Sequence, residues 1–210
     1  QGPRPVGSLS ARGQEGANFG DGCLWRVVNA VTARAGEGDL ASMLAYMRLE
    51  ANAYRWRFNL RTGEVREGDI DDLNTEFNKT NPLYHGVKSK YAYHQRIPLA
   101  DEGGHTLRFT GLVKYNNDTG ERAQWHYGDG VYGSEAVYAP KAGADRGAGE
   151  DDGYVVTMTT DSNTWRSECL VFDATDIEAG PVCRVALPHR VPAGFHATWA
   201  RGEDLYRPAG

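Results

Sequence analysis

The feature that most constrains the fold is a repeated β-hairpin pattern. Each of three segments has an alternating apolar run, then Asn or Asp, a polar turn ending in Gly, and a second apolar run. The segments begin at Tyr54, Gly111 and Cys169, and their aromatic anchors are Phe58, Tyr115 and Phe172. The same interval of 57 residues separates consecutive anchors. A constant interval of this kind predicts a repeated supersecondary unit.

Further strand patterns lie between these hairpins, and helical patterns are scarce. The strand candidates are KYAYHQRI, HTLRFTGLVKY, EAVYAP and GYVVTMTT, whereas only residues 40–54 have a composition that allows a helix. Several short strands in each repeat of about 40–60 residues indicate propeller blades. A β-sandwich is the alternative, and the constant interval disfavours it. We predict an all-β chain that forms a partial β-propeller, about three blades of a larger ring.

The two ends of the chain differ in composition. Residues 1–20 are rich in Gly, Pro, Ser and Arg, which predicts a flexible lead-in. Residues 21–210 are predicted to form the C-terminal part of a single propeller domain. Because the chain starts at Gln1 and shows no signal-peptide pattern, we expect it to be part of a longer protein.

Charge and cysteine content narrow the range of partners. The net charge is −5 and no basic stripe is present, which argues against a nucleic-acid partner. No apolar run approaches the roughly 20 residues of a membrane helix. Three cysteines without a CxxC pair favour a reducing compartment, so we expect a cytoplasmic location. Cys169 and Cys183 lie in apolar strand patterns, which predicts buried side chains.

Three polar residues recur after the hairpins. Glu76, Glu135 and His196 follow their anchors by 18, 20 and 24 residues. If each begins an inner strand of the next blade, the three side chains point to one end of a central channel. A metal could then bind one nitrogen of the imidazole while a carboxylate accepts a hydrogen bond from the other. Polar residues that bond to one another without a metal are the alternative.

The remaining histidines are weaker candidates for ligands. We expect His85, His94 and His105 in or beside exposed segments, His189 in a loop, and His126 on a strand surface. The sequence EDDG at residues 150–153 lacks the alternating spacing of a calcium loop, which favours a solvated turn.

The motif RVPAGFHATW resembles the C-terminal motif of the carotenoid cleavage oxygenases, a family that includes stilbene-cleaving dioxygenases and relatives of the retinal-pigment isomerase. WRFNLRTGEVREGDIDDLNTEFNKTNP, YGSEAVYAP and EDDGYVVTMTTD resemble further segments of that family in the same order. The resemblance extends from about Trp25 to Trp199. It implies that the ring is a seven-bladed propeller, with this chain as its C-terminal portion.

The resemblance also implies a chemistry. Family members hold one Fe(II) with four histidines, three of which donate to glutamates. By motif, His196 resembles the last iron ligand, Glu135 its hydrogen-bonding partner, and Glu76 the partner of the third ligand. The implied reaction adds O₂ across a conjugated C=C bond of a carotenoid, apocarotenoid or stilbene and gives two carbonyl products. Peripheral membrane contact for uptake of such an apolar substrate is compatible with the resemblance.

One position departs from the family pattern. In CLWRVVNAV, Arg26 stands where the family has its third iron histidine, and a guanidinium cannot replace imidazole as a ligand. Three interpretations are open at this position: a shifted register, a truncated or divergent beginning of the chain, or a catalytically inactive propeller that binds or scaffolds. If the register holds, we expect Arg26 to pair with Glu76 on the axis.

Overall fold

The computed structural model describes residues 51–98, 108–192, 194 and 196–205. The predicted lead-in at residues 1–20, Arg26 with its expected pairing, and His105 lie outside these ranges. So does most of the segment whose composition allows a helix.

The prediction of an all-β chain is confirmed over the described residues. They form strands, one 3₁₀ turn and one short helical turn. The strands are β1 (Asn52–Phe58), β2 (Val65–Lys79), β3 (Tyr91–Arg96), β4 (Gly111–Asn116), β5 (Arg122–His126), β6 (Val131–Gly133), β7 (Val137–Pro140), β8 (Gly153–Asp161), β9 (Ser167–Asp173) and β10 (Pro181–Ala186). The 3₁₀ turn is Pro82–Tyr84, and the helical turn, α1, is Gly202–Leu205.

The helix allowed for residues 40–54 is wrong over its described end. Asn52 and Tyr54 belong to β1 and pair with Asn74 and Asp69 of β2. The Ala51 amide also donates to the Asn74 side chain at 2.7 Å. Pairing with a neighbouring strand therefore outweighs the intrinsic helix preference of this Ala-rich segment.

The chain divides into two compact units, Gln1–Glu76 with Arg96–Arg108, and Phe77–Gln95 with Phe109–Gly210. The described part of the first unit is mainly the antiparallel pair of β1 and β2, whose register shifts between Asn52 and Tyr54. The chain passes from the first unit to the second between Glu76 and Phe77, inside β2.

Two of the predicted hairpins have the same turn. Asn59 closes the β1–β2 turn, accepting a 2.8 Å bond from Gly63 N, and Asn116 does the same for Gly120 in the β4–β5 turn. Gly63 and Gly120 have φ of 73° and 79°, a conformation that favours glycine. The interval of 57 residues therefore reflects a shared turn chemistry at these two positions.

The second unit contains two sheets. One has β3, β4 and β5 as successive neighbours, and the other has the order β10-β9-β8-β6, with β7 also paired to β8. Their buried side chains form one core, in which the Trp125 and Phe172 rings lie 5.1 Å apart. The Tyr93 hydroxyl donates to Ala174 O at 3.0 Å. The third predicted hairpin is β9 with β10.

The structure tests the predicted burial of several histidines and cysteines. His85, His126 and His189 are exposed, as predicted. His94 is instead buried, because it lies on β3 with its ring edge-on to Tyr115 at 4.9 Å. The prediction of buried cysteines is also wrong, since Cys183 is exposed on β10 and Cys169 is only partly buried.

The EDDG sequence is more than a solvated turn. The Glu150 carboxylate accepts 2.8 Å bonds from the backbone amides of Lys90 and Tyr91 and from the Ser89 hydroxyl. It therefore fastens the loop between β7 and β8 to the start of β3.

Candidate metal centre

A β-bulge positions Glu135. Gly133 pairs with Thr159 of β8, and Val137 pairs with Val156. The chain therefore advances four residues from Gly133 to Val137 while β8 advances three, so the β6–β7 side has one extra residue. The extra residue falls in the break between β6 and β7, where Glu135 lies. Bulges of this kind redirect a side chain and are frequent beside functional sites.

The backbone next to Glu135 is firmly held. Ser134 N donates to Met158 O at 2.7 Å, and Met158 N donates to the Ser134 hydroxyl at 3.2 Å. The Thr157 hydroxyl donates to Ser134 O at 3.0 Å. These three bonds to β8 fix the start of the bulge, so Glu135 leaves the sheet from a fixed point.

The Glu135 side chain is only 3% exposed, and both of its oxygens are used. Oε2 accepts a hydrogen bond from the backbone amide of Ala197. Oε1 lies 3.0 Å from the Lys79 ammonium and 3.6 Å from His196 Nδ1. A buried carboxylate requires such partners, because its charge is otherwise costly to remove from water.

The His196 ring is largely exposed to solvent. Its side chain is 79% exposed, although Nδ1 faces the buried carboxylate. At 3.6 Å the contact is electrostatic and is longer than a hydrogen bond. The His196 and Phe77 rings pack together at a steep angle, with their centroids 5.1 Å apart. The structure thus brings together Glu135 and His196, the two residues predicted from neighbouring repeats.

Phe77 has an unusual backbone conformation. Its φ is 56°, and its ring also contacts Phe109 at 5.0 Å. A bulky residue in the left-handed region is strained and is found mostly where a site requires it. Here the conformation interrupts the alternation of β2, directly after Glu76.

Glu76 lies on β2 at the end of the first unit and is partly buried. Glu135, Lys79 and His196 all belong to the second unit. The role of Glu76 as the hydrogen-bonding partner of the third iron ligand stays a prediction.

The described residues contain no group of three or more His, Cys, Asp or Glu side chains that could hold a metal ion. What they provide is a single imidazole with a carboxylate at one nitrogen. No helix in the described part of the chain is long and apolar enough to cross a membrane.

Two residues that contact Glu135 or His196, namely Lys79 and Phe77, were not predicted from the sequence. Phe77 follows Glu76 directly, yet nothing in the sequence indicates its positive φ. Lys79 has no signal beyond being a basic residue three positions after Glu76, since its partner is distant in the chain.

Comparison with known proteins identifies the family. The model of the retinal pigment epithelial membrane protein family, RPE65, matches residues 21–201. The carotenoid 9,10(9′,10′)-cleavage dioxygenase 1 of Arabidopsis thaliana is 34% identical over 72% of this chain and 29% of its own length. A probable chloroplastic carotenoid cleavage dioxygenase 4 of the same plant is 37% identical, over 71% of this chain and 25% of its own.

Solved structures show the same fold. The lignostilbene dioxygenase of Pseudomonas brassicacearum superposes with a TM-score of 0.62 at 29% identity, covering 71% of this chain and 32% of that one. A cobalt-substituted Synechocystis ACO gives a TM-score of 0.67 at 21% identity, covering 79% and 33%. The likeness confirms the partial-propeller fold class, whereas the number of blades stays a prediction.

The chain spans less than a third of the length of these dioxygenases. Within that span, the family model covers the bulge that carries Glu135 and the segment that carries His196. The chain belongs to the retinal pigment epithelial membrane protein family, to which its resemblance to the carotenoid cleavage oxygenases had pointed.

Proposed function

We propose that this chain is part of a non-haem Fe(II) dioxygenase that cleaves a conjugated C=C bond of a carotenoid, apocarotenoid or stilbene. The observation that carries the proposal is the contact between the buried Glu135 carboxylate and Nδ1 of the exposed His196 ring. The relatives of this chain include proteins named carotenoid cleavage dioxygenases and a lignostilbene dioxygenase. The substrates are the apolar alkene and O₂.

The donor chemistry at His196 fits an iron ligand. A carboxylate beside Nδ1 favours the tautomer that carries the proton there, which leaves the Nε2 lone pair free for a metal. Imidazole is a suitable donor for Fe(II), and an iron with open positions supplies the means to activate O₂. The buried Glu135 oxygen attracts Nδ1 electrostatically, and Phe77 packs against the imidazole ring.

The overall reaction balances without another reagent. The C=C bond breaks, each carbon gains one atom of O₂, and two carbonyl groups result.

Glu76 is proposed to support another ligand in the same way as Glu135. A cytoplasmic location and peripheral membrane contact stay proposals, and the free cysteines Cys169 and Cys183 are compatible with a reducing compartment.

The test compares two histidines of the same segment in the protein at its natural length. We expect His196→Ala to lose most of its bound iron and its turnover of a stilbene and an apocarotenal. His189→Ala is the matched control because His189 is exposed and only seven residues away. Under ¹⁸O₂, the parent protein should label both carbonyl products. Equal iron content and turnover in the two variants would overturn the proposal.

A further inference from the structure

Lys79 has a place in the site that the proposed function leaves unexplained. Its ammonium lies 3.0 Å from Glu135 Oε1, which is nearer than His196 Nδ1 at 3.6 Å to the same oxygen. The lysine side chain is 31% exposed, while the carboxylate is 3% exposed. This ion pair therefore has one partner deep in the protein and differs from an ordinary surface pair.

Lys79 and Ala197 each contact a different oxygen of the Glu135 carboxylate. The Ala197 amide donates to Oε2, while Lys79 contacts Oε1. If Lys79 were removed, the contact that Oε1 would keep among the described residues is the longer one to the exposed imidazole. The carboxylate would then be free to rotate, and the hydrogen bond to Ala197 would weaken with it.

Ala197 is the residue after His196, so its hydrogen bond fixes the backbone that carries the imidazole. In β2, two residues before Lys79, the ring of Phe77 packs against the imidazole, with 5.1 Å between the centroids. The end of β2 therefore supports His196 in two ways, directly through Phe77 and indirectly through Lys79 and Glu135.

We propose that Lys79 is a positioning residue that holds Glu135 and, through its bond to Ala197, fixes the segment carrying His196. The positioning claim concerns the protein without metal. Its consequence for metal binding rests on the proposed function and is tested separately.

The direct test is hydrogen exchange at the Ala197 amide in the metal-free protein of natural length. Lys79→Met should speed exchange at this amide at least tenfold, whereas Lys79→Arg, which keeps the charge, should stay within about threefold of the parent. Amides of the core residues Val155 and Leu170 report global stability and should change little. If Lys79→Met does not fold, Lys79→Gln takes its place.

The matched control is Lys88→Met. Lys88 pairs with Asp118 at 2.8 Å, but its side chain is 77% exposed and its partner, at 42%, is also exposed, so this is an ordinary surface pair that does not include Glu135. This variant should leave Ala197 exchange unchanged. Unchanged exchange in Lys79→Met, or an equal rise at Ala197 and at the core amides, would overturn the positioning role.

A second arm measures Co(II) affinity in the same proteins. We expect the dissociation constant to rise about tenfold in Lys79→Met, as for other groups that orient a metal ligand, and to be nearly unchanged in Lys88→Met. If the parent binds no Co(II) while Ala197 exchange still responds to Lys79, the proposed function fails and the positioning role stands. If the parent binds Co(II) but Lys79→Met binds it equally well, the effect on the metal site is contradicted.

Discussion

At the scale of single residues, the site depends on a few side chains in demanding positions. Glu135 is a buried carboxylate that needs both Lys79 and the Ala197 amide, and Phe77 holds a left-handed backbone conformation beside them. The predicted pair of Glu135 and His196 was found from matching positions in the repeat and from the family motif. Phe77 and Lys79 could not be found in that way, because their roles depend on a local φ and on a partner far away in the sequence.

The strain at Phe77 can be measured with two variants that both remove its ring. Phe77→Ala retains the left-handed strain, whereas Phe77→Gly relieves it. We expect the free energy of unfolding of the Gly variant to exceed that of the Ala variant by about 1 kcal/mol, the cost of this conformation for a residue with a Cβ. Urea unfolding of the two proteins measures the difference. If the Ala variant is the more stable one, the backbone is not strained at this position.

The buried histidine on β3 predicts a pH dependence. Burial lowers the pKa of His94 to about 4, so the folded protein keeps this ring neutral. Below its ordinary pKa of about 6.5 the unfolded chain binds a proton that the folded protein excludes until pH is near 4. Stability should therefore fall as pH drops through this range, by about 3 kcal/mol in total.

The measurement for His94 is urea unfolding at several values between pH 7 and pH 4. In His94→Gln the contribution of this ring to the loss should be absent, so the curve should be flatter than that of the parent. Parallel curves for the two proteins would show that His94 does not account for the acid sensitivity.

At the scale of elements, turn chemistry explains what the repeat could predict. The β1–β2 and β4–β5 turns share their Asn and Gly positions and their hydrogen bonds. The β8–β9 turn, which the pattern missed, closes through Asp161 in the same way, with Trp165 at φ 57° in the place of the glycine. The β9–β10 hairpin was predicted, yet its turn differs, since it buries Ile177.

The β6–β7 bulge should be sensitive to a single methyl group. A Cβ on Gly133 would lie 2.5 Å from the Tyr127 ring. That ring cannot easily move, because it is buried and its hydroxyl donates to Gln95 at 2.7 Å. Burial also raises the pKa of Tyr127, so the hydroxyl keeps its proton. Gly133→Ala should lower the free energy of unfolding by about 1–3 kcal/mol.

Gly68→Ala is the control for that substitution. Gly68 is also in a strand, but a Cβ there would meet nothing within 4 Å. Its effect should stay within about 0.5 kcal/mol. Thermal melting of both variants measures the contrast, and similar losses in the two would contradict the close packing at Gly133.

At the scale of the whole molecule, the all-β class and the family followed from the sequence. The hairpin interval and the ordered motifs carried that information, because strand alternation and turn residues are local signals. The bulge, the strained Phe77 and the burial of His94 arise from packing between distant segments. Local patterns do not encode such packing.

The small number of potential metal ligands at the proposed site predicts a limit on the activity of these 210 residues. The described residues supply one imidazole at the proposed site, His196, and no larger group of potential ligands. We therefore expect the 210-residue chain alone to retain little Fe(II) and to show no cleavage of a stilbene or apocarotenoid. Metal analysis after gel filtration and product analysis under O₂ measure both. Turnover by the chain alone would refute this expectation.

The most direct measurement of the central claim is a crystal structure of the protein at its natural length, grown with Fe(II) or Co(II) and recorded at the metal absorption edge. The account predicts an anomalous peak about 2 Å from His196 Nε2, with Glu135 at Nδ1 of the same ring. A metal bound elsewhere while the His196 ring faces solvent would contradict it.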